Sequence, residues 1–590
     1  MLRYRLIAVL ALVGLWVGLM VLLITPPHPV VRAAPPLCVK PGGGNGCYSS
    51  LTSAVLAAQT NDTIQVATGT YTEYVVITKN VTLQGGWDIS FTTRNPSANV
   101  TTLRPPNVSS SVVDIEGQIS DTTAIAPTLD GFLITGGGGG NHGGGLRVRD
   151  SDAIIRNNVI SGNVGYLLGG GAWVQRGAPQ FENNRIQNNI SDGLGQSAQG
   201  GGLQLENTRA TLVNNIIAGN IVSNAAGSTG YGGGVDIAGG GPVMLTGNTI
   251  LSNTGAITGT GYGGGISIQG VTVTLNSNLI QSNTADSAFA FGFGGAFGYG
   301  GGVYIVNSPA FTLTGNTILS NTAGYKYYVY LSGGGVEVES SAGSLTDNVF
   351  TGNRANGNIL FGNGGGLAVF TSTLNIRSGQ ILNNVTALNC EGYGGGLYAS
   401  NSSITLDATR LENNCAANTP AYGLGGGLAF FNTPYTLTNA LIVRNRSFGN
   451  DTAVGGLYAG ANSPGLIINN TFVNNRGQGI RTASPITLTN NIIMSHTTGI
   501  SLTAAVAVSV TYNNFYANTT NQRGFSLDVT NIVINPQLDS NYHLLPTSPA
   551  IDAGKRTNVP ATDFDGEPRI MAGVSGLYRV DIGADERTGA

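Results

Sequence analysis

Between Asn163 and Asn475 the chain repeats one pattern eleven times: a glycine run, a short stretch of alternating apolar residues, and a closing asparagine. The closing residues are Asn163, Asn189, Asn220, Asn253, Asn283, Asn321, Asn353, Asn384, Asn414, Asn445 and Asn475. Glycine runs such as Gly143–Gly145, Gly200–Gly202 and Gly333–Gly335 begin about 20 residues ahead of them. Only the segment from each asparagine to the next glycine run varies much in length. A constant block joined by one elastic segment per period of roughly 30 residues is how a solenoid is written in sequence.

After each glycine run the first and third residues are apolar, as in Leu203/Leu205, Val235/Ile237 and Val303/Ile305. The second residue is unrestricted: Trp173, Gln204, Asp236, Tyr304, Glu337, Tyr398. A period of two with one apolar face describes a strand with an inside and an outside. A second strand follows, as in Thr211–Ile217, and no segment sustains a 3.6-residue period, which excludes helical solenoids. Asparagine tolerates a left-handed backbone, and its amide can bond to its counterpart one coil on. A second asparagine column, Asn158 to Asn348, is interrupted at Gly379, Thr409 and Ala440. The expected fold is all-β: a parallel β-helix of 13–15 coils stacked ~4.8 Å apart.

Glycine makes up 90 of 590 residues without a Gly-X-Y period, which excludes collagen. A hydrophobic content of 41% argues against disorder, and a net charge of −3 without basic blocks gives nucleic acid no electrostatic hold. Arg3 and Arg5 precede an apolar run from Leu6 to Ile24. Residues 1–33 therefore read as a signal peptide cut after Ala33 or as an N-terminal membrane anchor. Either reading places the body outside the cytoplasm, where cysteines pair; Cys38–Cys47 and Cys390–Cys415 are the expected disulfides. Residues 34–63 form an N-terminal cap with a short helix over Ser49–Gln59, 64–535 the β-helix, and 536–590 a C-terminal module.

The Gly-Gly-Gly-Leu and Phe181-Glu182-Asn183-Asn184 patterns resemble the repeats of polymorphic outer-membrane proteins, a right-handed parallel β-helix family with a pectate-lyase-like fold. Ser548–Gly554, Asp563–Arg569 and Val580–Ala584 resemble, in order, the choice-of-anchor Q module of bacterial surface β-helix proteins. Where that module usually carries tyrosine, this chain has Asp585. The resemblance implies a bacterial cell-surface, adhesin-like protein and says little of activity.

Two kinds of site are candidates. Glu337 with Glu339, and Glu206 with Asp236, meet the carboxylate spacing of glycoside hydrolases, so a polysaccharide lyase or hydrolase is the alternative reading. The charge-poor array and the absence of histidine near these pairs favour solvated surface carboxylates and no catalytic residue. Aromatic residues are more distinctive: Phe289, Phe291, Phe293, Tyr299, Tyr325 and Tyr328 in the variable segments, with Trp173, Tyr304 and Tyr398 on the outward strand position. These are expected to bind carbohydrate or another cell-envelope component. Asp563 and Asp565, followed by Gly566, offer the close-spaced oxygens that calcium takes; no other cofactor is expected. We expect a monomer that meets a membrane only through its N-terminal segment.

Overall fold

The computed structural model describes residues 36–118, 124–138, 140, 142–223, 228–287, 297–324, 331–356, 362–386, 392–416, 423–448, 453–569, 571–572 and 578–587. The N-terminal residues 1–35, Cys390 and the aromatics Phe289, Phe291, Phe293, Tyr325 and Tyr328 lie outside these residues. Among the described residues no helix is long and apolar enough to cross a membrane.

The strands stack coil upon coil, parallel and in register: Leu203 pairs with Val235 and Leu205 with Ile237, which pair in turn with Ile266 and Ile268. Sheets of 17 and 16 strands form two walls, and the strands flanking the glycine runs form the third. Inward residues such as Leu203, Leu205, Leu212 and Ile217 are fully buried, and one apolar core runs unbroken from Val39 to Phe515. After Asn475 the coils shrink, the next rung being 21 residues on, so the period of roughly 30 disappears although the solenoid continues.

Both asparagine columns are buried hydrogen-bonded ladders. Where the next rung is also asparagine, Nδ2 donates to its Oδ1, as from Asn283 to Asn321 at 3.0 Å, and to a backbone carbonyl of the preceding coil, here Ile250 at 2.9 Å. Oδ1 in turn accepts the backbone N–H and Nδ2 of the preceding rung. The left-handed residue is not the rung but the one before it: Asn188, Ser252, Ser282 and Asn383 have φ between 53° and 56°. Near its end the closing ladder carries a substitution, followed by one more asparagine, Asn518. Asn475 Nδ2 lies 3.2 Å from His496 Nε2, and His496 Nδ1 lies 3.1 Å from Asn518 Oδ1. Burial holds this imidazole down to about 4, so it is neutral and carries its proton on Nδ1, acting as one more rung.

The glycine run and the closing asparagine are two sides of one contact. A Cβ on the third glycine would fall 2.8–3.2 Å from the side-chain amide of the asparagine in its own coil, as for Gly145 with Asn163 and Gly396 with Asn414. The second glycine meets the backbone just past that asparagine, with Gly170 against Ile190 and Gly334 against Arg354. No side chain fits between the segments, so each coil is pinched into a main core and a thin lobe. The lobe is made from the variable segment, whose two stems are strands rather than loop. A seven-stranded sheet from Val164–Tyr166 to Arg354–Asn356 forms one side. Two-residue strands such as Gly298–Tyr299 and Gly392–Tyr393 form the return.

At the N-terminus the Cys38–Cys47 disulfide closes a small turn, which fits an oxidising compartment. The helix spans Leu51–Ala57, capped by Ser50 and by Glu73, whose oxygens accept the N–H groups of Leu51 (2.8 Å) and Thr52 (2.9 Å). At the C-terminus the chain turns back along the flank of the solenoid. Asn439 donates to the Thr562 carbonyl, Asn469 to that of Asp581 and Asn490 to that of Lys555, each at 2.9–3.0 Å. Leu441, Val443 and Val473 of the coils pack with Tyr542, Phe564 and Ala584 of the returning segment.

Candidate functional site

The first glycine of the three-glycine runs is left-handed, with φ near 60° at Gly232, Gly300 and Gly333. It turns the return strand of the lobe against the strand that follows, making a crease along the solenoid axis. One wall carries Gln199, Tyr231, Tyr262, Tyr299, Ser332, Asn363, Tyr393 and Leu424 in register. The other carries Trp173, Gln204, Asp236, Ser267, Tyr304, Glu337, Ala368, Tyr398, Ala429 and Tyr458. Side chains of the second wall lean over the corner glycine; a Cβ on Gly333 would lie 2.6 Å from that of Glu337. The outward strand position is therefore mostly inside the crease. Trp173, Asp236, Tyr304 and Glu337 are all at most 4% exposed, which removes them from the solvated face expected of them.

Each of the four carboxylates has an intramolecular donor. Ser332 Oγ donates to Glu337 Oε2 at 2.5 Å, and Gln269 Nε2 to Asp236 Oδ1 at 3.0 Å. Tyr304 OH donates to Glu339 Oε2 at 2.9 Å, and Trp173 Nε1 to Glu206 Oε2 at 3.2 Å. Burial pushes the Asp236 carboxyl up to about 6 and the Glu337 carboxyl up to about 8, the latter also raised by Glu339. Glu337 thus folds most readily as the neutral acid. Its folded pKa lies above the unfolded value, so its contribution is best below pH ~4.5, worsens as pH rises, and levels off above about 8. Glu337→Gln, which imitates the protonated form, should leave the thermal midpoint unchanged at pH 4. At pH 9 it should raise stability by a few kcal/mol at most, on the order of the shift. An equal effect at both pH values would contradict a buried neutral acid.

The aromatic residues form two groups with different geometry. Tyr231, Tyr262 and Tyr299 occupy successive coils and stack at 4.9 and 5.0 Å with interplanar angles of 11° and 18°. Their ring faces are turned to one another, so the stack offers a ligand mainly edges. The second group comprises Phe370, Tyr393, Tyr398, Phe431 and Tyr458. Ala429 lies between the coils of Tyr398 and Tyr458, so these rings are two coils apart and cannot stack directly. Phe431 fills the gap, 5.7 Å from Tyr398 and 5.3 Å from Tyr458, and neighbouring rings tilt by 39–79°. All five rings are partly exposed. Tyr398 was expected here; Phe370 and Phe431 were missed because only the second residue of each strand was read as outward, whereas the fourth is outward too. Trp173 instead stacks on His142 at 4.6 Å.

In the C-terminal segment Asp563 is buried and saturated by backbone donors. Its Oδ1 accepts the N–H groups of Asp565 (3.0 Å) and Glu567 (2.8 Å), and its Oδ2 that of Glu586 (2.9 Å). These three bonds brace the turn. Asp565 points elsewhere, toward His543. Arg569 is fully buried and reaches Asn439 Oδ1 at 2.9 Å, Glu586 Oε2 at 3.2 Å and the Gly583 carbonyl at 3.0 Å. Cys415 is buried beside Asn414.

The family model described as a right handed beta helix region matches residues 144–377. No curated protein matches the chain. Among solved structures, the catalytic unit of a thermostable GH87 α-1,3-glucanase from Streptomyces thermodiastaticus is 16% identical, over 68% of each chain, at a TM-score of 0.34. The pectin methylesterase of Aspergillus niger is 15% identical, over 53% of this chain and 86% of its own, at 0.20. Tailspike protein 3 of bacteriophage CBA120 is 11% identical, over 84% of this chain and 64% of its own, at 0.26. With the family match lying inside a stack of parallel, in-register coils, the chain is a right-handed parallel β-helix repeat protein.

Proposed function

We propose that this protein is an exported, cell-surface scaffold that binds carbohydrate or another cell-envelope component along the crease without transforming it. The observation that carries this reading is the tilted cluster of Phe370, Tyr393, Tyr398, Phe431 and Tyr458, whose partly exposed rings do not use up their faces on parallel stacking. Sugar rings present apolar faces edged with hydroxyls, and tyrosine offers the matching ring and hydroxyl. From Tyr231 to Tyr458 the crease runs seven coil steps, about 34 Å at the usual strand spacing, long enough for an extended chain. The burial of Asp236 and Glu337 supports a binding role over a catalytic one. The test is retention of the full chain on a panel of insoluble and soluble bacterial and plant polysaccharides. We expect binding to at least one, weakened tenfold or more by Tyr398→Ala with Phe431→Ala; undiminished binding by that variant would reject the crease as the site.

One observation favours the hydrolase alternative: a neutral Glu337 two residues from Glu339 has the composition of an acid–base pair. Release of reducing sugar ends, abolished by Glu337→Gln or Asp236→Asn, would establish it and overturn the non-enzymatic reading.

A further inference from the structure

His543, Asp565 and Asp585 come from three separated stretches of the returning C-terminal segment, yet their ligand atoms lie within 4.8 Å of one another. His543 Nε2 and Asp565 Oδ2 are 3.0 Å apart. Two ligands bound ~2.0–2.1 Å from a shared tetrahedral ion stand about 3.3 Å apart, close to this separation. On the other side of the ring, Nδ1 faces Asp539 Oδ2 at 3.6 Å, the position from which a second carboxylate orients a metal-bound histidine. The loop is held independently of any ion: Asp539 Oδ1 accepts the N–H groups of Asn541 (2.8 Å) and His543 (2.9 Å). Asp585 Oδ2 accepts the Leu544 N–H at 2.7 Å, which fixes that carboxylate beside the same turn.

We propose that His543, Asp565 and Asp585 form a binding site for a divalent transition-metal ion such as zinc. An imidazole nitrogen with two carboxylate oxygens suits zinc, cobalt or their neighbours and does not suit calcium, whose ligands are oxygens. Three protein ligands leave a fourth position, and the partly exposed Asp565 opens it to water. Asp565 and Asp585 bring two carboxylates to one small volume, while the nearby Arg569 guanidinium is already committed to Glu586. The bound ion would tie the Asp539–Leu544 turn, the Asp563–Glu567 turn and the chain end into one clamp on the flank of the solenoid. The site is thus a staple for the segment that docks on Asn439, Asn469 and Asn490, separate from the crease.

The test uses the untagged full chain, stripped with chelator and titrated with cobalt(II) and, in parallel, zinc(II) and calcium(II). We expect one equivalent of cobalt to bind with a visible d–d absorption, displaced by zinc and not by calcium. His543→Ala and Asp565→Asn should each weaken binding at least tenfold, and Asp539→Asn by about 10–100-fold, as for a carboxylate that orients a metal-bound histidine. Asp565→Asn alters an exposed side chain, so its result stands even where His543→Ala disturbs the turn. Absence of stoichiometric binding, or equal affinity in the wild type and both ligand variants, would overturn the assignment. So would calcium binding that ignores His543.

Discussion

Asn283→Ala is expected to destabilise the array by about 3–5 kcal/mol and to split its unfolding into two steps. The side chain is wholly buried and serves four bonds: two donated, to Ile250 O and Asn321 Oδ1, and two accepted, from Asn253 N and Asn253 Nδ2. Alanine leaves these partners facing one another across a void that no water-facing relaxation can fill. Each buried group so orphaned costs about 1–3 kcal/mol, and the partial compensation available to Asn253 through the Ile217 carbonyl brings the sum to the range above. Because a solenoid's stability is the sum of neighbouring interfaces, the weakened coil becomes a fault line between two half-arrays. Hydrogen exchange at the Asn253 amide and a two-phase denaturant profile are the readouts. Asn283→Asp should be worse at neutral pH, because its carboxylate has no hydrogen to offer Ile250 O or Asn321 Oδ1. Unchanged protection at Asn253 in the alanine variant would show that the ladder is decorative.

The second large effect lies at the other end. Arg569→Ala should release the segment from about residue 536 onward while the coils stay folded. The Arg569 guanidinium joins the solenoid, through Asn439, to the closing turn at Gly583 and to the buried carboxylate of Glu586. Removing one partner of a buried ion pair typically costs 3–5 kcal/mol, since the remaining charge has no substitute. Glu586, which burial already pushes up to about 8, can soften this by taking a proton. The loss should therefore be larger at pH 9 than at pH 6. Limited proteolysis with mass analysis would detect cleavage between residues 536 and 569 with the coil region intact. Arg569→Lys should give an intermediate result, because an ammonium cannot span all these acceptors. A variant that is no more susceptible than wild type would mean that the apolar contacts around Tyr542 and Ala584 hold the segment alone.

How much of this was legible in the sequence follows from what repeats. The asparagine columns were visible because an in-register stack places the same physical demand on every coil, so the same residue returns. The glycine runs were equally visible, but that glycine and asparagine answer a single steric demand was not, since the contact joins positions about 18 residues apart within a coil. The crease escaped notice for a different reason. Alternation along a strand separates inside from outside, but it does not show that the outside of one strand faces the return strand of a lobe. Asp236, Glu337, Trp173 and Tyr304 looked exposed on that basis and are buried. The tilted aromatic cluster was half legible: Tyr398 was singled out, while Phe370 and Phe431 sat one alternation further on. The docking of the C-terminal segment rests on Asn439, Asn469 and Asn490, more than a hundred residues from some of their partners, and no local pattern announces that.

The ladders also give the molecule a direction. In the asparagine rungs Oδ1 faces the preceding coil, as at Asn163, which takes the Gly137 N–H, and at Asn513, which takes the Asn491 N–H. Side-chain dipoles aligned in this way along two parallel lines make the rod polar, with a head and a tail that are chemically distinct. Two such rods meeting tail to tail would set like ends of the ladders against each other, while head-to-tail contact would continue them. Any filament built by extending these coils would have to be a one-way street, growing with its subunits all pointing the same way.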